Sequence, residues 1–435
     1  MPTICFETLG CKVNQYDTDR MIADFRQRGF EVIRDGSAAD VYVVNSCAVT
    51  SMAEAKSRRH VRRLANRAHQ PTVILTGCSV DMAIRTGYPI DDATLVVSNA
   101  EKATIVERLL ALRPDLAPES NVGCEVIPYE EIRRTRAVVK VQEGCDVNCT
   151  YCSVPFTRGS PRSRPIREVV DEVRQCLDRG QPEIVLAGIL LGSYTDDCAP
   201  VPRDITDLVE AVSDVQGVRR VRLSSIEPMH ITDTLLELMQ CRPTVCPHLH
   251  IPLQSGDDEV LRAMGRPYTR RQYIDLCGKA QSLIPDLAIT TDVLVGFPGE
   301  SEAAHTRTLE TIREVGFSRL HVFRYSKRAG TPAAEMSEQI SDDVKVQRSS
   351  VTTALGRSLQ EAYATRFLHR TMPVIVEGPE QEDGYRSGYT ANYMRVRFPC
   401  TPIPPGSEVN VRLATVQGGV IEGQLDAAPS PLGVV

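Results

Sequence analysis

The pattern of apolar and polar positions divides the chain into alternating strands and helices. In the first hundred residues, short apolar runs bounded by turn residues predict strands at 3–9, 41–44, 73–76 and 95–97. Met21, Ile22 and Phe25 recur at helical spacing. They predict a helix over 17–29, and the pattern over 52–68 predicts a second one. This alternation predicts an open, parallel α/β sheet.

The same alternation continues in the middle of the chain. Further apolar runs predict strands at 137–141, 183–187, 218–223, 248–253, 288–295 and 320–325. Helical patterns lie between them, at 166–179, 204–214, 231–240, 270–283 and 302–315. Six parallel strand–helix repeats predict a partial (β/α)6 barrel, because a closed eightfold barrel needs more chain than is left.

The last part of the chain has a different pattern. A long helical segment over 343–369 is followed by short alternating runs between Gly and Pro turns, at 373–377, 393–398, 408–413 and 420–425. These runs predict a small all-β barrel. The chain as a whole is therefore predicted to be an α/β protein with three domains, at 1–125, 132–368 and 370–432.

Composition narrows the class of protein. Of the 435 residues, 42% are hydrophobic and 24% are charged, as in soluble globular proteins. No apolar run of about 18 residues predicts a membrane span, and no signal peptide is visible. Fourteen cysteines without an export signal indicate thiols and metal ligands rather than disulfides, so we expect a cytoplasmic protein. The net charge of −6 argues against a polycation that binds nucleic acid over its whole surface. It does not exclude local RNA-binding patches.

A loop with three cysteines follows the predicted strand 137–141. Its ligand candidates, at a spacing of four and then three residues, are Cys145, Cys149 and Cys152. Three thiolates can hold three irons of a 4Fe–4S cluster, and the fourth iron can then chelate a small molecule through an amine and a carboxylate. Two alternatives remain: a structural zinc site, which normally takes four ligands, and three structural cysteines.

Three more cysteines follow strands of the N-terminal sheet. Cys11 follows the first strand, Cys47 the second and Cys78 the third. The carboxyl ends of parallel strands share one edge of a sheet, where open α/β folds bind ligands, so these thiols are expected to converge. The alternative is coincidence among fourteen cysteines.

Other strand ends of the central barrel carry candidate cofactor-binding residues. Gly188 closes its second predicted strand, and Gly296 closes the fifth. Glycines allow a cofactor to approach the backbone closely. Glu227, after the third strand, could accept hydrogen bonds from ribose hydroxyls or an amine. The alternative for these residues is ordinary turn chemistry.

Two basic patches are candidates for RNA contact. Arg59, Arg63 and Arg67 are four residues apart and share one helical face beside the Cys47 loop. Arg395 and Arg397 lie near tyrosines in the C-terminal module, a mixture suited to phosphates and bases. A merely solvated helix face and a purely structural β module are the alternatives.

Several motifs resemble the radical S-adenosylmethionine methylthiotransferases over nearly the whole chain. The cysteine loop with Tyr151 before its last cysteine resembles the signature of radical S-adenosylmethionine enzymes. The other matching segments are Thr8–Tyr16, Val44–Thr50, Ala53–Arg58, Arg158–Arg164 and Pro252–Gly256. The first three of these are most similar to the branch that acts on threonylcarbamoyl-adenosine in tRNA. After Cys78 the chain departs from the family pattern, with Ser79-Val80-Asp81 in place of Tyr-Ala-Gln.

The resemblance implies an enzyme with two 4Fe–4S clusters and S-adenosylmethionine as cofactors. Cys145, Cys149 and Cys152 would hold the cluster that binds S-adenosylmethionine, with Tyr151, Gly188, Glu227 and Gly296 near the cofactor. Cys11, Cys47 and Cys78 would hold an auxiliary cluster that carries or supplies sulfur. Reductive cleavage of the cofactor would give a radical that removes hydrogen from carbon 2 of the adenine.

The implied partner is the tRNA anticodon loop, where the modified adenosine at position 37 lies beside the anticodon. The C-terminal module would be a TRAM barrel that binds RNA. An electron donor and a sulfur source are also required; the sequence identifies neither, nor the oligomeric state. Isopentenyl-adenosine in tRNA and an aspartate of a ribosomal protein are alternative substrates. A metal-stabilised RNA-binding protein without catalysis is the alternative from another class, and it would carry zinc instead of iron and sulfide.

Overall fold

A computed structural model describes residues 1–33, 38–48, 51–118, 135–198, 200–378, 384–399 and 403–426. The chain forms two compact units. The first consists of Met1–Ile132, Glu143–Pro161 and Ser326–Glu335, and the second of Arg133–Gln142, Arg162–Tyr325 and Met336–Val435. The predicted domain boundaries at 125, 132 and 432 lie outside the described residues, so the division into three domains stays a prediction. Within the described ranges, no helix combines the length and the apolar character needed to cross a membrane.

A five-stranded parallel sheet forms the centre of the first unit, with the strand order β2-β1-β3-β4-β5. Its elements are β1 (Thr3–Thr8), α1 (Lys12–Gln27), β2 (Glu31–Val32), β3 (Val41–Ser46), α2 (Ser51–Ala65), β4 (Thr72–Gly77), α3 (Cys78–Thr86), β5 (Leu95–Val97) and α4 (Ile105–Leu112). Strands β3 and β4 are buried along their whole length, as expected for a sheet with helices on both faces. The predicted open parallel sheet is confirmed.

Helix α1 begins at Lys12, five residues before the predicted start at Asp17. The buried side chains of Val13 and Tyr16 extend the face formed by Met21 and Phe25 by one more turn. The sequence pattern missed this turn because polar residues, including the buried Asn14, interrupt the apolar spacing.

The partial barrel lies in the second unit, whereas the loop that carries the three cysteines, the short helix after it and a later short helix at Pro332–Glu335 belong to the first unit. The elements in chain order are β6 (Arg136–Lys140), β7 (Gln142–Glu143), α5 (Val154–Arg158), β8 (Arg162–Ser163), α6 (Ile166–Asp178), β9 (Glu183–Ala187), α7 (Ile205–Ser213), β10 (Arg220–Leu223), α8 (Asp233–Cys241), β11 (His248–His250), α9 (Asp258–Ala263), α10 (Arg270–Leu283), β12 (Ala288–Val295), α11 (Glu302–Val315), β13 (Arg319–Arg324), α12 (Pro332–Glu335) and α13 (Asp342–Thr365).

The barrel strands form two parallel sheets, ordered β10-β9-β6 and β11-β12-β13. Parallel bridges from Val221 to Val245 and from Ser225 to His250 connect the two sheets. The six main strands therefore follow one another as a curved, partly open barrel, and a continuous apolar core packs these strands against the helices α6, α7, α8, α10 and α11. The predicted six-stranded partial barrel is confirmed.

The C-terminal module is a closed barrel of five strands, in the order β14-β15-β16-β18-β17. Its strands are β14 (Thr371–Glu377), β15 (Tyr385–Thr390), β16 (Arg395–Pro399), β17 (Glu408–Gln417) and β18 (Val420–Leu425). The sequence predicted a barrel but only four of these strands. It missed β15 because Arg386, Ser387 and Gly388 break the apolar alternation that identifies a half-buried strand.

Candidate metal centre

The loop with three cysteines is held closed by backbone contacts within the first unit. The Cys145 N–H donates to the Gly159 carbonyl over 3.0 Å, and the Cys152 N–H donates to the Cys149 carbonyl over 3.0 Å. Gly144 has a φ of +81°, and a Cβ there would lie 2.0 Å from the Ser160 carbonyl oxygen. Only glycine fits this close approach, so the contact at Gly144 fixes the position of the loop directly before Cys145.

The three loop thiols are half-buried and close enough to affect one another's ionisation. Burial raises the pKa of Cys152 to about 12, and the negative charges of Cys149 and Cys145 add to that increase. A free Cys152 would therefore be protonated at neutral pH. A soft cation deprotonates a thiol on coordination, so this group of thiols fits a metal cluster better than a set of free thiolates.

Cys11, Cys47 and Cys78 lie at the carboxyl edge of the N-terminal sheet. Cys47 directly follows β3, Cys78 directly follows β4, and Cys11 precedes the first residue of α1. Strands β1, β3 and β4 are neighbours in the sheet, so the three residues lie side by side along one edge. Gly10 makes room for this arrangement, because a Cβ there would lie 2.7 Å from the Cys47 sulfur.

Arg158 connects the cysteine loop to the helix that follows Cys11. Only 1% of its side chain is exposed, and it contacts Asp17 at 3.3 Å and Glu143 at 2.5 Å. It also donates a hydrogen bond to the side-chain oxygen of Asn14. Burial opposes the charge of Arg158, but the surrounding anionic groups, with the Cys78 thiol the largest contributor, raise its pKa. The fold thus holds a permanent cation near sulfurs of the sheet edge.

Arg328 is a second buried cation, 8% exposed, in the segment of the first unit that returns late in the chain. Burial lowers its pKa, and the negative groups that oppose this shift are Glu54, Cys47, Cys152 and Cys78. One guanidinium nitrogen donates to the Ser153 hydroxyl over 3.1 Å. Among the described residues, its Nη2 has no hydrogen-bond partner although it is buried.

An unpaired buried guanidinium N–H among thiols fits an anionic group at this place, because a buried donor without a partner costs free energy. Cubane clusters bound by thiolates carry negative charge and accept hydrogen bonds at sulfur. Arg328 contacts Ser153, which directly follows Cys152 of the loop, and the negative charges of Cys47 and Cys78 at the sheet edge oppose the lowering of the Arg328 pKa. The first unit therefore brings the two sets of thiols into one neighbourhood.

Asn99 completes the polar surroundings of the sheet edge. Its amide nitrogen lies 3.7 Å from the Cys78 sulfur and donates to the Thr157 carbonyl over 3.0 Å. Asn99 and Arg328 were not among the predicted site residues, because they lie far from any cysteine along the chain. Arg158 carried a signal, because it begins the motif Arg158–Arg164, but no charge partner was visible in the sequence.

The glycines predicted to contact the cofactor lie at strand ends of the second unit. A Cβ at Gly188 would lie 3.1 Å from the Gln142 side chain, whose oxygen accepts the N–H of Leu190 over 2.8 Å. A Cβ at Gly296, where φ is +74°, would lie 2.3 Å from Cγ of Lys345. The protein's own side chains thus account for both glycines, and their contact with a cofactor stays a prediction.

Glu227 directly precedes a short 3₁₀ helix after the third barrel strand, and its carboxylate pairs with the buried Arg266. Arg266 therefore fixes the position of this carboxylate. Tyr151 is half-buried within the cysteine loop of the first unit. Its contact with a cofactor, like that of Glu227, stays a prediction.

The three arginines predicted to share one helical face do not all lie on α2, because this helix ends at Ala65 and Arg67 follows it. These arginines also have intramolecular partners. Arg63 donates to Glu7 over 2.9 Å, and the guanidinium of Arg67 lies 4.7 Å from the ring centre of Tyr42. Arg59 is exposed, and its Nε lies 3.4 Å from the Ala55 carbonyl of its own helix. An open depression of about 510 Å³ lies along this face, lined by Met52, Ala53, Lys56, Arg59, His60 and Arg63.

We expect the triple variant Arg59→Gln, Arg63→Gln and Arg67→Gln to bind tRNA more weakly and with less salt dependence. Each lost phosphate contact lowers the slope of log K against log salt by about 0.7 to 0.9. The measurement is a filter-binding titration at several salt concentrations. The control is the matched triple Arg→Lys variant, which keeps the charge. If the wild type and the Gln variant have equal slopes of log K against log salt, these arginines form only a solvated surface and do not contact tRNA phosphates.

In the C-terminal barrel, Arg395 is exposed and Arg397 is half-buried. The Arg397 guanidinium lies 4.1 Å from the ring centre of Tyr385 and 3.5 Å from a Glu422 oxygen. An arginine beside a tyrosine ring forms a surface suited to bases and phosphates. RNA contact by these residues stays a prediction.

Comparison with known proteins gives matches along almost the whole chain. The model of the radical SAM superfamily matches residues 139–312, and that of the uncharacterized protein family UPF0004 matches residues 3–89. The chain is 38% identical to the threonylcarbamoyladenosine tRNA methylthiotransferase MtaB of Bacillus subtilis, covering 98% of this chain and 96% of that protein. The MtaB protein of Thermotoga maritima is 35% identical, with 98% and 100% covered.

More distant relatives fit the same family. A tRNA-2-methylthio-N(6)-dimethylallyladenosine synthase of Akkermansia muciniphila is 32% identical, covering 97% of this chain and 98% of that protein. The radical S-adenosylmethionine methyltransferase TsrM of Kitasatospora setae has a similar fold, with a TM-score of 0.54 at 14% identity over 77% of this chain and 75% of that chain. The predicted resemblance to the MtaB-like branch is confirmed, and S-adenosylmethionine with a 4Fe–4S cluster follows from the radical SAM match. The chain belongs to the radical S-adenosylmethionine methylthiotransferase family.

Proposed function

We propose that this protein inserts a methylthio group at carbon 2 of N6-threonylcarbamoyladenosine at position 37 of tRNA. The observation that carries the proposal is the presence of two three-cysteine sets in one compact unit, with Arg328 near members of both. The names of the MtaB relatives, at 35% and 38% identity, support the substrate. The cytoplasmic location and the three-domain division are part of the same proposal.

Cys145, Cys149 and Cys152 would hold the cluster that binds S-adenosylmethionine, and Cys11, Cys47 and Cys78 would hold a second 4Fe–4S cluster. Together the bound groups supply the radical, the sulfur and the methyl group that the reaction needs. The residues around them have supporting roles. Arg158 and Arg328 place fixed positive charge beside thiolates, and Asn99 offers an N–H to the Cys78 sulfur.

The protein's other task is to hold a base of the anticodon loop against this centre. Loop bases can be splayed out and held by stacking and by contacts to their edges. Arg59 on α2 and Arg395 in the C-terminal barrel are exposed cations that suit the phosphates around such a base. An electron donor and a sulfur source are required as partners.

The direct test is reaction of the reconstituted protein, without oxygen, with S-adenosylmethionine, sulfide, a reductant and tRNA. We expect mass spectrometry of the nucleosides to detect 2-methylthio-N6-threonylcarbamoyladenosine. The matched control is tRNA with isopentenyl-adenosine at the same position. If only the control tRNA is methylthiolated, the chain belongs to the branch that acts on isopentenyl-adenosine. If neither tRNA is methylthiolated under conditions in which S-adenosylmethionine is cleaved, the proposal is contradicted.

We also expect the anaerobically purified protein to be brown and to contain about eight iron and eight sulfide ions per chain, since each cubane holds four of each. The triple variant of Cys11, Cys47 and Cys78 to Ala should keep about half of both. The measurement is chemical analysis of iron and sulfide with the absorption spectrum. Four irons in the wild type, or zinc in their place, would rule out the second cluster.

A further inference from the structure

Three metal-ligand side chains lie together on adjacent strands of the second unit. His250 is on β11, Asp292 on β12 and His321 on β13. One oxygen of Asp292, Oδ1, lies 3.3 Å from Nε2 of His250 and 3.3 Å from Nδ1 of His321. The three ligand atoms all lie within 4.8 Å of one another. Among the described residues, this is the only group of three His, Cys, Asp or Glu side chains that meets this distance.

The spacing matches the edges of a metal coordination shell. Ligand atoms about 2.0–2.1 Å from a zinc-like ion in tetrahedral geometry are about 3.3 Å apart. Both measured edges to Asp292 have this length. A direct charge-assisted N–H···O bond is shorter, at about 2.7–2.9 Å. Asp292 Oδ1 and the two histidine nitrogens therefore already have the separation that a shared metal ion would require.

A further contact orients the first histidine. Nδ1 of His250 lies 2.9 Å from the Thr290 hydroxyl oxygen, and Thr290 precedes Asp292 on the same strand by two residues. Metal-bound histidines almost always hydrogen-bond through the nitrogen that does not bind the metal. If Nδ1–H of His250 donates to Thr290, Nε2 carries a lone pair that points at the Asp292 carboxylate. Two hydrogen-bond acceptors then face each other, and a cation is needed between them.

The stacking of the two rings fixes the second histidine. The His250 and His321 rings are 5.4 Å apart, with 25° between their planes. The side chains are 13% exposed at His250, 27% at Asp292 and 40% at His321, so the site has an entry path for an ion. Two imidazoles and one carboxylate are a common ligand set for divalent first-row transition metals.

We propose that His250, Asp292 and His321 form a binding site for one mononuclear divalent transition metal inside the partial barrel. None of its three ligands is a thiolate. Three protein ligands leave at least one coordination position open. That position would take water or an oxygen or nitrogen donor of a bound substrate.

The test uses Mn²⁺ as the probe, because a carboxylate ligand such as Asp292 suits this ion whereas soft cysteine thiolates select other metals. Holoprotein with its iron and sulfide measured beforehand is titrated with Mn²⁺, and the free ion is followed by its six-line EPR signal at room temperature. We expect one bound Mn²⁺ per chain. Asp292→Asn and His321→Gln should each weaken binding at least about tenfold, and Thr290→Val about tenfold through the loss of orientation.

His69→Gln is the matched control, because His69 is an exposed histidine of the first unit outside this group. It should bind Mn²⁺ as the wild type does. His321→Gln keeps the test decisive if the more buried variants misfold, since His321 is the most exposed ligand. Absence of stoichiometric binding, or equal affinity in the wild type and His321→Gln, would overturn the proposal and leave Asp292 as an acceptor for two imidazole N–H groups.

The outcome is independent of the proposed tRNA reaction. Mn²⁺ binding is measured without tRNA or S-adenosylmethionine, and the iron and sulfide content reports separately on the clusters. A protein that methylthiolates tRNA but binds no Mn²⁺ would contradict the metal site alone. A protein that binds Mn²⁺ through these residues but modifies no tRNA would contradict the proposed function alone.

Discussion

Replacement of Cys149 by Ala is expected to abolish both the reductive cleavage of S-adenosylmethionine and the modification of tRNA. Cys149 is the middle thiol of a three-cysteine loop, and no fourth cysteine of the loop can take its place. With one of its three ligands lost, the loop can no longer hold three irons of the cluster and leave only the fourth iron open. The measurement is 5′-deoxyadenosine formation in the same reaction as the nucleoside analysis, and both should fall to background.

The triple variant of Cys11, Cys47 and Cys78 to Ala should behave differently. It keeps all three thiols of the loop, so 5′-deoxyadenosine should still form while the methylthio product disappears. Because loss of a cluster can unfold its surroundings, circular dichroism accompanies both assays. Cys176→Ala is the control, since this buried thiol lies on helix α6 of the second unit and belongs to neither set.

Two outcomes would contradict separate roles for the two sets. If the folded triple variant still methylthiolates tRNA, the sheet-edge thiols hold no sulfur-transferring cluster. If the folded triple variant cleaves no cofactor, the two sets act as one unit. Arg158 and Arg328, each near thiols at the sheet edge, provide a physical route for such coupling, because removal of the anionic sulfurs changes the charges that these cations neutralise.

Replacement of Arg158 by Met is expected to destabilise the first unit by about 3 kcal/mol, at the low end of the cost of breaking a buried ion pair. Asp17, which is 7% exposed, would lose one of two cations and keep Lys102 at 3.0 Å. Glu143 would lose its 2.5 Å partner. The measurement is urea unfolding followed by far-ultraviolet circular dichroism and by cluster absorbance.

The matched control for this prediction is Arg28→Met. Arg28 pairs with Glu107 at 2.8 Å in the same unit, but both side chains are about half exposed, at 51% and 53%. An exposed pair contributes about 0–1 kcal/mol, so this variant should be nearly neutral. Asp17→Asn combined with Arg158→Met should cost less than the sum of the single changes. Equal effects of Arg158→Met and Arg28→Met would show that the buried pairing does not stabilise the unit.

The sequence by itself determined the architecture and the places of the six candidate cysteines within it. Apolar periodicity predicted the parallel sheet, the six-stranded partial barrel and the terminal β barrel, because each depends on a regular pattern of buried positions. It failed where that pattern weakens, at the first turn of α1 and at β15. The placement of Cys11, Cys47 and Cys78 after neighbouring strands followed from a general rule, that parallel strands end at the same edge.

Only the tertiary structure decided which distant residues surround these cysteines. Arg158, Arg328 and Asn99 are separated along the chain, and a single arginine or asparagine in a sequence gives no sign of its burial or of its partners. The same limit applies to His250, Asp292 and His321, whose approach depends on the lateral pairing of three strands. Strand periodicity fixes which face a side chain occupies, whereas register between strands fixes which side chains meet.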